Sequence, residues 1–320
     1  MADPSLEHVA ASPESEVSAY RPLVFAIAYR MVGSVAETED IVQEAFLRLH
    51  RARRGGVAVE SPKAYLAALT TRLAIDHLRS ARVRRESYVG PWLPEPVVQE
   101  GEPAMDRQVQ MAESVSMAFL LVLEALSPVE RAVFLLREVF DYPYEEIAQI
   151  VEKSEENCRQ IFARAKRHID AGKRRFEASP EKRDAIAQQF LAACERGELD
   201  GLVRLLAADA AFYGDGGGKA TAFTRPVIAA DRVARLVAGI FVRFKAAGID
   251  MVRVQVNGQP GAKFVDGEGR VVGVWSLDTA EGRVQCVRSV VNPEKLGHLG
   301  PVSDLLTLPM RRAQDRDPTS

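Results

Sequence analysis

Cysteine is scarce: Cys158, Cys194 and Cys286 are the three in 320 residues, far apart and without a CxxC spacing. With five histidines beside them, no zinc site is expected, and a reduced, cytoplasmic protein is the simplest fit. Long apolar runs are missing too. No stretch reaches 18 apolar residues, so no membrane-spanning helix is expected. Met1–Tyr20 is acidic and polar and lacks the apolar stretch of a signal peptide. There is no internal repeat. What is present is ordinary for a soluble globular chain, with 47% hydrophobic and 27% charged residues, and the length suits two or three domains.

The net charge of −2 hides an asymmetry. Arg48–Arg85 holds ten basic residues against Glu60 and Asp76, and Ser154–Arg175 holds seven against Glu155, Glu156 and Asp170. Two basic segments in a nearly neutral protein suggest two contacts with a polyanion. Two solvated helix faces would look the same.

Ser34-Val-Ala-Glu37 has the spacing of a capping box and opens a helix to about His50. Ile41, Val42, Ala45, Phe46 and Leu49 form its apolar stripe, and Asp40, Gln43, Glu44 and Arg48 share the opposite face. After Arg54-Gly55-Gly56, Pro62 starts a helix over about 62–80 that buries Tyr65, Leu66, Leu69, Leu73 and Leu78. Residues 86–112 read as an acidic, proline-broken linker in which Trp92 and Leu93 need an apolar partner. Ser127-Pro128-Val-Glu130 opens another helix to about Phe140. A short helix over 144–151, a turn at Glu152-Lys153 and a basic helix from Ser154 to about Ile169 make a helix-turn-helix pattern. Beyond Pro180 comes an amphipathic helix over 181–200. Alternating segments follow at 209–214, 251–256, 262–266, 270–277 and 283–290, without βαβ regularity, which favours an α+β domain.

These residues resemble a known family. Asp40-Ile-Val-Gln-Glu-Ala-Phe-Leu-Arg48 is similar to the polymerase-binding helix of the sigma-70 family. Leu69–Arg79 resembles the promoter-melting helix of its small extracytoplasmic-function members. Leu126–Arg137 and Ala163-Arg-Ala-Lys166 resemble their C-terminal DNA-reading domain. Tyr88–Pro96, Asp215-Gly-Gly-Gly-Lys219 and Asn292-Pro-Glu-Lys-Leu296 resemble the marks of a subgroup carrying a SnoaL-like domain of the NTF2 fold. Glu294 stands where Asp is expected.

The resemblance implies a multidomain protein: two all-α sigma domains, the second with a helix-turn-helix, and a C-terminal α+β NTF2-like cone. The expected boundaries are 14–85 (region 2), 86–112 (linker), 113–175 (region 4), 180–296 (SnoaL-like domain) and 297–320 (tail). Asp40, Gln43, Glu44 and Arg48 are expected to meet a coiled coil of the polymerase β′ subunit. Arg53, Arg54, Lys63, Arg72, Asp76 and Arg79 are expected at single-stranded −10 DNA, where cations and stacking hold an unpaired strand. Glu156, Asn157, Arg159 and Gln160 are expected at base edges of the −35 duplex, with Arg164, Lys166 and Arg167 on its phosphates. The resemblance also implies a linker that threads the polymerase, its acidic residues avoiding tight contact with nucleic acid.

Trp92, Leu93, Asp215, Gly216, Gly217, Gly218, Lys219, Asn292, Pro293 and Leu296 are expected to form an interdomain regulatory contact. The 214–219 segment is no P-loop, since Tyr213 replaces its first glycine and Ala220 its Ser/Thr. No metal and no cofactor are expected. An unidentified small ligand in the C-terminal pocket stays open. So does a rival reading, a DNA-binding regulator fused to a SnoaL-type enzyme that uses Asp215 as its acid/base.

Overall fold

The structure, a computed structural model, describes residues 13–86, 88–100, 116–172 and 180–304. The second half of the expected linker, the 173–175 segment and the end of the tail lie outside the described residues.

Three helices come first: α1 (Pro13–Val32), α2 (Val35–Arg54) and α3 (Pro62–Glu86). α2 and α3 both outlast the expected ends. The α3 core differs from expectation: Tyr65, Leu69 and Leu73 are half-buried, while Ala67, Thr70, Thr71 and Ala74 are fully buried. These small residues let α1 approach α3 closely, which hydropathy spacing does not reveal.

A linker strand, β1 (Val98–Gln99), precedes α4 (Met117–Glu124), α5 (Pro128–Phe134), α6 (Tyr144–Val151) and α7 (Glu155–Gly172). Serine caps recur: Ser116, Ser127 and Ser154 accept from the amides of Phe119, Glu130 and Asn157. Ser127 and Glu130 complete a capping box. The helix expected to run to Phe140 instead widens into a π-turn at Leu135–Val139.

The C-terminal domain places α8 (Pro180–Arg196), α9 (Leu199–Leu205) and α10 (Ala230–Ala246) against strands β2 (Leu206–Asp215), β3 (Val227–Ile228), β4 (Asp250–Val256), β5 (Gln259–Val265), β6 (Val271–Ala280) and β7 (Arg283–Val290). With β1, they make one sheet ordered β1-β4-β5-β6-β7-β2-β3. Every pairing is antiparallel except β2 with β7. The expected strands all lie within or overlap these. Helix α10 and strand β3 were not among the expected elements; the apolar residues of α10 that meet the core, Val233, Ala234, Val237, Phe241 and Phe244, recur at three- and four-residue spacing.

Two cores matter for function. One is shared by both helical units, with Tyr29, Met31, Ala74, Ile75 and Leu78 packed with Leu120, Leu123, Phe134, Ala165 and Ile169. The other fills the C-terminal domain around Trp275, Phe212 and Phe264, and it also takes in Leu93 of the linker, Met117 of α4 and Leu296.

Candidate nucleic-acid and interdomain surfaces

Helix α2 presents the expected face. Asp40, Gln43 and Arg48 are exposed, Glu44 is half-buried, and Arg48 donates to Glu44 at 2.6 Å. Beside this face runs a groove of about 760 Å³, whose lining includes Gln43, Phe46, Leu47, His50, Arg53 and Arg54. Phe46, expected in the core, is half-buried and lines the groove.

Of the residues expected at the −10 strand, Arg53, Arg54, Lys63, Asp76 and Arg79 are exposed, with Arg79 and Asp76 paired at 3.4 Å. Arg72 is committed elsewhere. Its guanidinium donates to the carbonyls of Ile150 at 2.9 Å and Gln149 at 2.8 Å, at the end of α6, with Glu152 3.9 Å away. A helix C-terminus leaves carbonyls without intrahelical partners and is electronegative, so a cation fits there. The reverse contact also exists. Arg131 of α5, 3% exposed, donates to the Met31 carbonyl at the end of α1 and pairs with Glu124 at 3.0 Å. Each helical unit therefore caps a helix of the other. Arg30 adds a third tie, its guanidinium 5.4 Å from the Phe140 ring centroid and its pKa pushed down to about 10 by burial. Lys63 looks across a cleft of about 440 Å³ at Asp141, Tyr142 and Glu146.

On α7, Glu156, Asn157, Arg159, Gln160, Arg164 and Arg167 are exposed, whereas Cys158, Ile161, Ala165 and Ile169 are buried. The three- and four-residue spacing of the buried set turns the polar set to solvent. Arg159 pairs with Glu155 at 2.9 Å, and Lys166 with Glu138 at 3.0 Å. These are surface pairs, which contribute little to stability.

The linker junction is the most densely bonded of these surfaces. Asp215, fully buried at the end of β2, accepts from the Tyr88 hydroxyl and, at 2.7 Å each, from the Leu93 amide and the Lys295 ammonium. Lys295 also donates to the Leu93 carbonyl and lies 4.4 Å from the Trp92 ring centroid and 4.8 Å from that of Tyr88. Cation–π contact and the carboxylate together compensate a charge that is only 5% exposed. Burial and the neighbouring Asp215 carboxylate push the Tyr88 phenol far above its usual pKa, so it stays a donor.

Asn292 donates to the Tyr88 hydroxyl at 2.9 Å and caps the short 3-10 turn Pro293–Lys295. At Gly217, with φ +58°, a Cβ would lie 2.2 Å from the Asn292 side chain, so the glycine is required there. Lys219 and Glu294 form an exposed ion pair over the top. Trp92 faces the helical unit as well: a Cβ on Gly33, between α1 and α2, would lie 2.9 Å from its ring. Of the ten residues expected at this contact, Trp92, Leu93, Asp215, Gly217 and Asn292 meet around Tyr88 and Lys295, Gly218 lies against Val89 of the linker, Lys219 pairs with Glu294, Leu296 sits in the core with Leu93, Pro293 opens the 3-10 turn, and Gly216 lies against its own loop at Ala220 and Ala222.

Sequence reasoning left Tyr88 and Lys295 out of the site, although both lie inside motifs that carried the resemblance. It counted Glu95, in the same Tyr88–Pro96 motif, only as a linker acid, and it missed Tyr29 and Asn257 altogether. Within the described part of the linker, 88–100, Leu93 is buried as its need for an apolar partner suggested, and two acids have partners: Glu95 caps a helix, and Glu100 pairs with Lys263.

Comparison with known proteins adds the following. A family model described as Sigma-70 region 2 matches residues 17–84, and one described as Sigma-70, region 4 matches 116–169. The chain is 36% identical over 292 residues to the ECF RNA polymerase sigma factor SigJ of Mycobacterium tuberculosis, covering 88% of this chain and 92% of that one. It is 33% identical over 285 residues to the probable ECF RNA polymerase sigma factor SigI of the same species, covering 88% and 93%. The crystal structure of M. tuberculosis SigJ superposes with a TM-score of 0.70 at 32% identity, covering 89% of this chain and 98% of that chain.

Proposed function

Since the chain belongs to the extracytoplasmic-function sigma factors of the sigma-70 family, we propose that it joins core RNA polymerase through α2 and reads promoter DNA with α3 and α7, and that its C-terminal domain controls the relation of those two helices by gripping the linker. The protein is a transcription initiation factor and not an enzyme, and its partners are core polymerase and promoter DNA. The coiled coil of the β′ subunit is the surface we assign to Asp40, Gln43, Glu44 and Arg48. The adjoining groove, with Leu47 43% exposed, offers that partner an apolar floor. We assign the −35 duplex to the exposed half of α7 and the single-stranded −10 segment to the loop before α3 and the outer face of that helix.

The observation that carries the regulatory part is the occupancy of Asp215. Both its oxygens are taken by the linker and by Lys295, and no part of the residue is exposed. A general acid or base must reach its substrate's proton. Asp215 instead holds together residues from the linker and from the end of the C-terminal domain, which supports a structural clamp over a SnoaL-type catalyst. The reciprocal caps of Arg72 and Arg131 support a closed pairing of the helical units while the clamp is engaged.

Run-off transcription with purified core polymerase tests this reading. Asp40→Lys with Glu44→Lys is expected to abolish core binding and leave the helical circular dichroism intact. Truncation at 178 is expected to lower transcript yield, and truncation after Leu296 to raise it. Equal output from all forms would overturn the proposal.

A further inference from the structure

Helix α2 begins at Ser34, whose hydroxyl accepts the amide of Glu37 at 3.2 Å. The local pattern points to Glu37 as the carboxylate partner of this cap. The structure places a different one there. Glu95, 61 residues away in the linker, accepts the Ser34 hydroxyl at 2.7 Å through one oxygen. Its other oxygen accepts the amides of Val35 at 2.8 Å and Ala36 at 3.2 Å. The Glu37 carboxylate reaches back 2.9 Å to His77 of α3. The first-turn amides of a helix have no intrahelical acceptors, and a carboxylate there also meets the positive end of the dipole. Glu95 is 7% exposed, and its own amide donates to the Gly33 carbonyl at 2.9 Å.

The cap has a second attachment. The Glu95 carbonyl accepts the Tyr29 hydroxyl at 2.6 Å, and that hydroxyl accepts the side-chain amide of Asn257 at 2.7 Å. Asn257, at the turn between β4 and β5, exchanges two hydrogen bonds with Val97: its backbone amide donates to the Val97 carbonyl, and its side-chain oxygen accepts the Val97 amide. Its φ is +52°, a left-handed conformation that asparagine tolerates. Tyr29 is fully buried, and burial holds its phenol protonated, so both bonds persist at any physiological pH.

We propose that Glu95 is a positioning residue for polymerase binding: it caps the docking helix from the linker, and through Tyr29 and Asn257 the cap reports whether the C-terminal domain is docked. The inference rests on the reading of α2 as the docking helix. The −10 and −35 assignments play no part in it.

Full-length protein with core polymerase supplies the test, with hydrogen exchange at Val35 and Ala36 read alongside affinity. Glu95→Ala is expected to speed exchange at these amides at least tenfold and to weaken core binding about five- to tenfold. Ser34→Asp supplies a local cap. Alone it sets a second carboxylate against Glu95 and is expected to weaken binding. Combined with Glu95→Ala it is expected to restore exchange and affinity to within about twofold of wild type. A purely structural lesion would not be rescued in this way. Asn257→Gly keeps the left-handed turn but removes the amide, and it is expected to speed exchange at Val35 and Ala36 by about two- to fivefold.

Unchanged exchange in Glu95→Ala, or a double variant no better than Glu95→Ala, overturns the cap. The docking reading fails separately: if Asp40→Lys with Glu44→Lys binds core normally, α2 is not the docking helix, whatever the exchange shows.

Discussion

Helix α7 turns Glu156, Asn157, Arg159 and Gln160 to solvent, whereas α3 sets the guanidinium of Arg72 against the carbonyls of Gln149 and Ile150. Both helices lie in basic segments, and in sequence both look equally available to a polyanion. Their neighbours make the difference. The buried Cys158, Ile161, Ala165 and Ile169 hold one side of α7 in the core and leave its polar side uncovered. The middle of α3 meets the carbonyl end of another helix, which occupies the cation of Arg72. The face we propose for the −35 duplex is open in this arrangement, while part of the surface we propose for the −10 strand is engaged by its own chain.

The largest expected effect comes from removing the Asp215 junction. Asp215→Ala leaves the ammonium of Lys295 buried without its carboxylate, a loss of about 3–5 kcal/mol for a buried pair. Urea denaturation should show that loss, and limited proteolysis should cut the 88–100 segment faster. Unchanged stability and protection would mean that apolar packing around Leu93 alone holds the linker.

Next in size is the open helix. Arg159→Ala is expected to cost about 1–3 kcal/mol at one preferred −35 base, and Lys166→Ala to weaken all sequences alike with a shallower salt dependence. Binding titrations on a set of single-base promoter variants would separate the two. Identical profiles would break the assignment of base and phosphate contacts along α7.

The smallest effect belongs to Arg72. Its hydrogen bonds to α6 are half-exposed, and Arg72→Ala should loosen the two helical units by about 1 kcal/mol. Hydrogen exchange near Val151 should rise slightly while −35 affinity stays unchanged. A loss of −35 affinity would show that α3 and α7 are more tightly coupled than their different surroundings suggest.

Much of this was legible in the sequence, for identifiable reasons. The faces of α2 and α7 follow from three- and four-residue spacing, which is local. The expected strands came from alternation. The residues around Asp215 were legible only as a resemblance, because nothing in Asp215-Gly-Gly-Gly-Lys219 says that Leu93 and Lys295 will fill its oxygens. The helix cap was half legible: Ser34 does cap α2 and accepts the Glu37 amide, but the carboxylate at the first turn is Glu95, and no spacing rule reaches 61 residues. Arg72 was assigned to DNA because a sequence shows charge and not what the charge touches. Helix α10 was missed although its apolar residues have helical spacing, because β-branched and aromatic residues carry strand propensity that masks the period.

The junction also orders events in time. Leu93 and Lys295 are 202 residues apart, and Glu95 finds its helix-capping partners early in the chain and its Asn257 anchor late. At synthesis rates of about 5–20 residues per second, roughly 10–40 s separate the emergence of Leu93 from that of Lys295. The second helical unit, which ends at Gly172, emerges partway through that interval, and for the roughly 6–25 s that remain before Lys295 both helical units are free to bury their shared core around Tyr29 and Phe134. The C-terminal domain then folds onto a pair that has already closed, so the nascent chain passes through a stage in which the linker is present, ungripped and accessible.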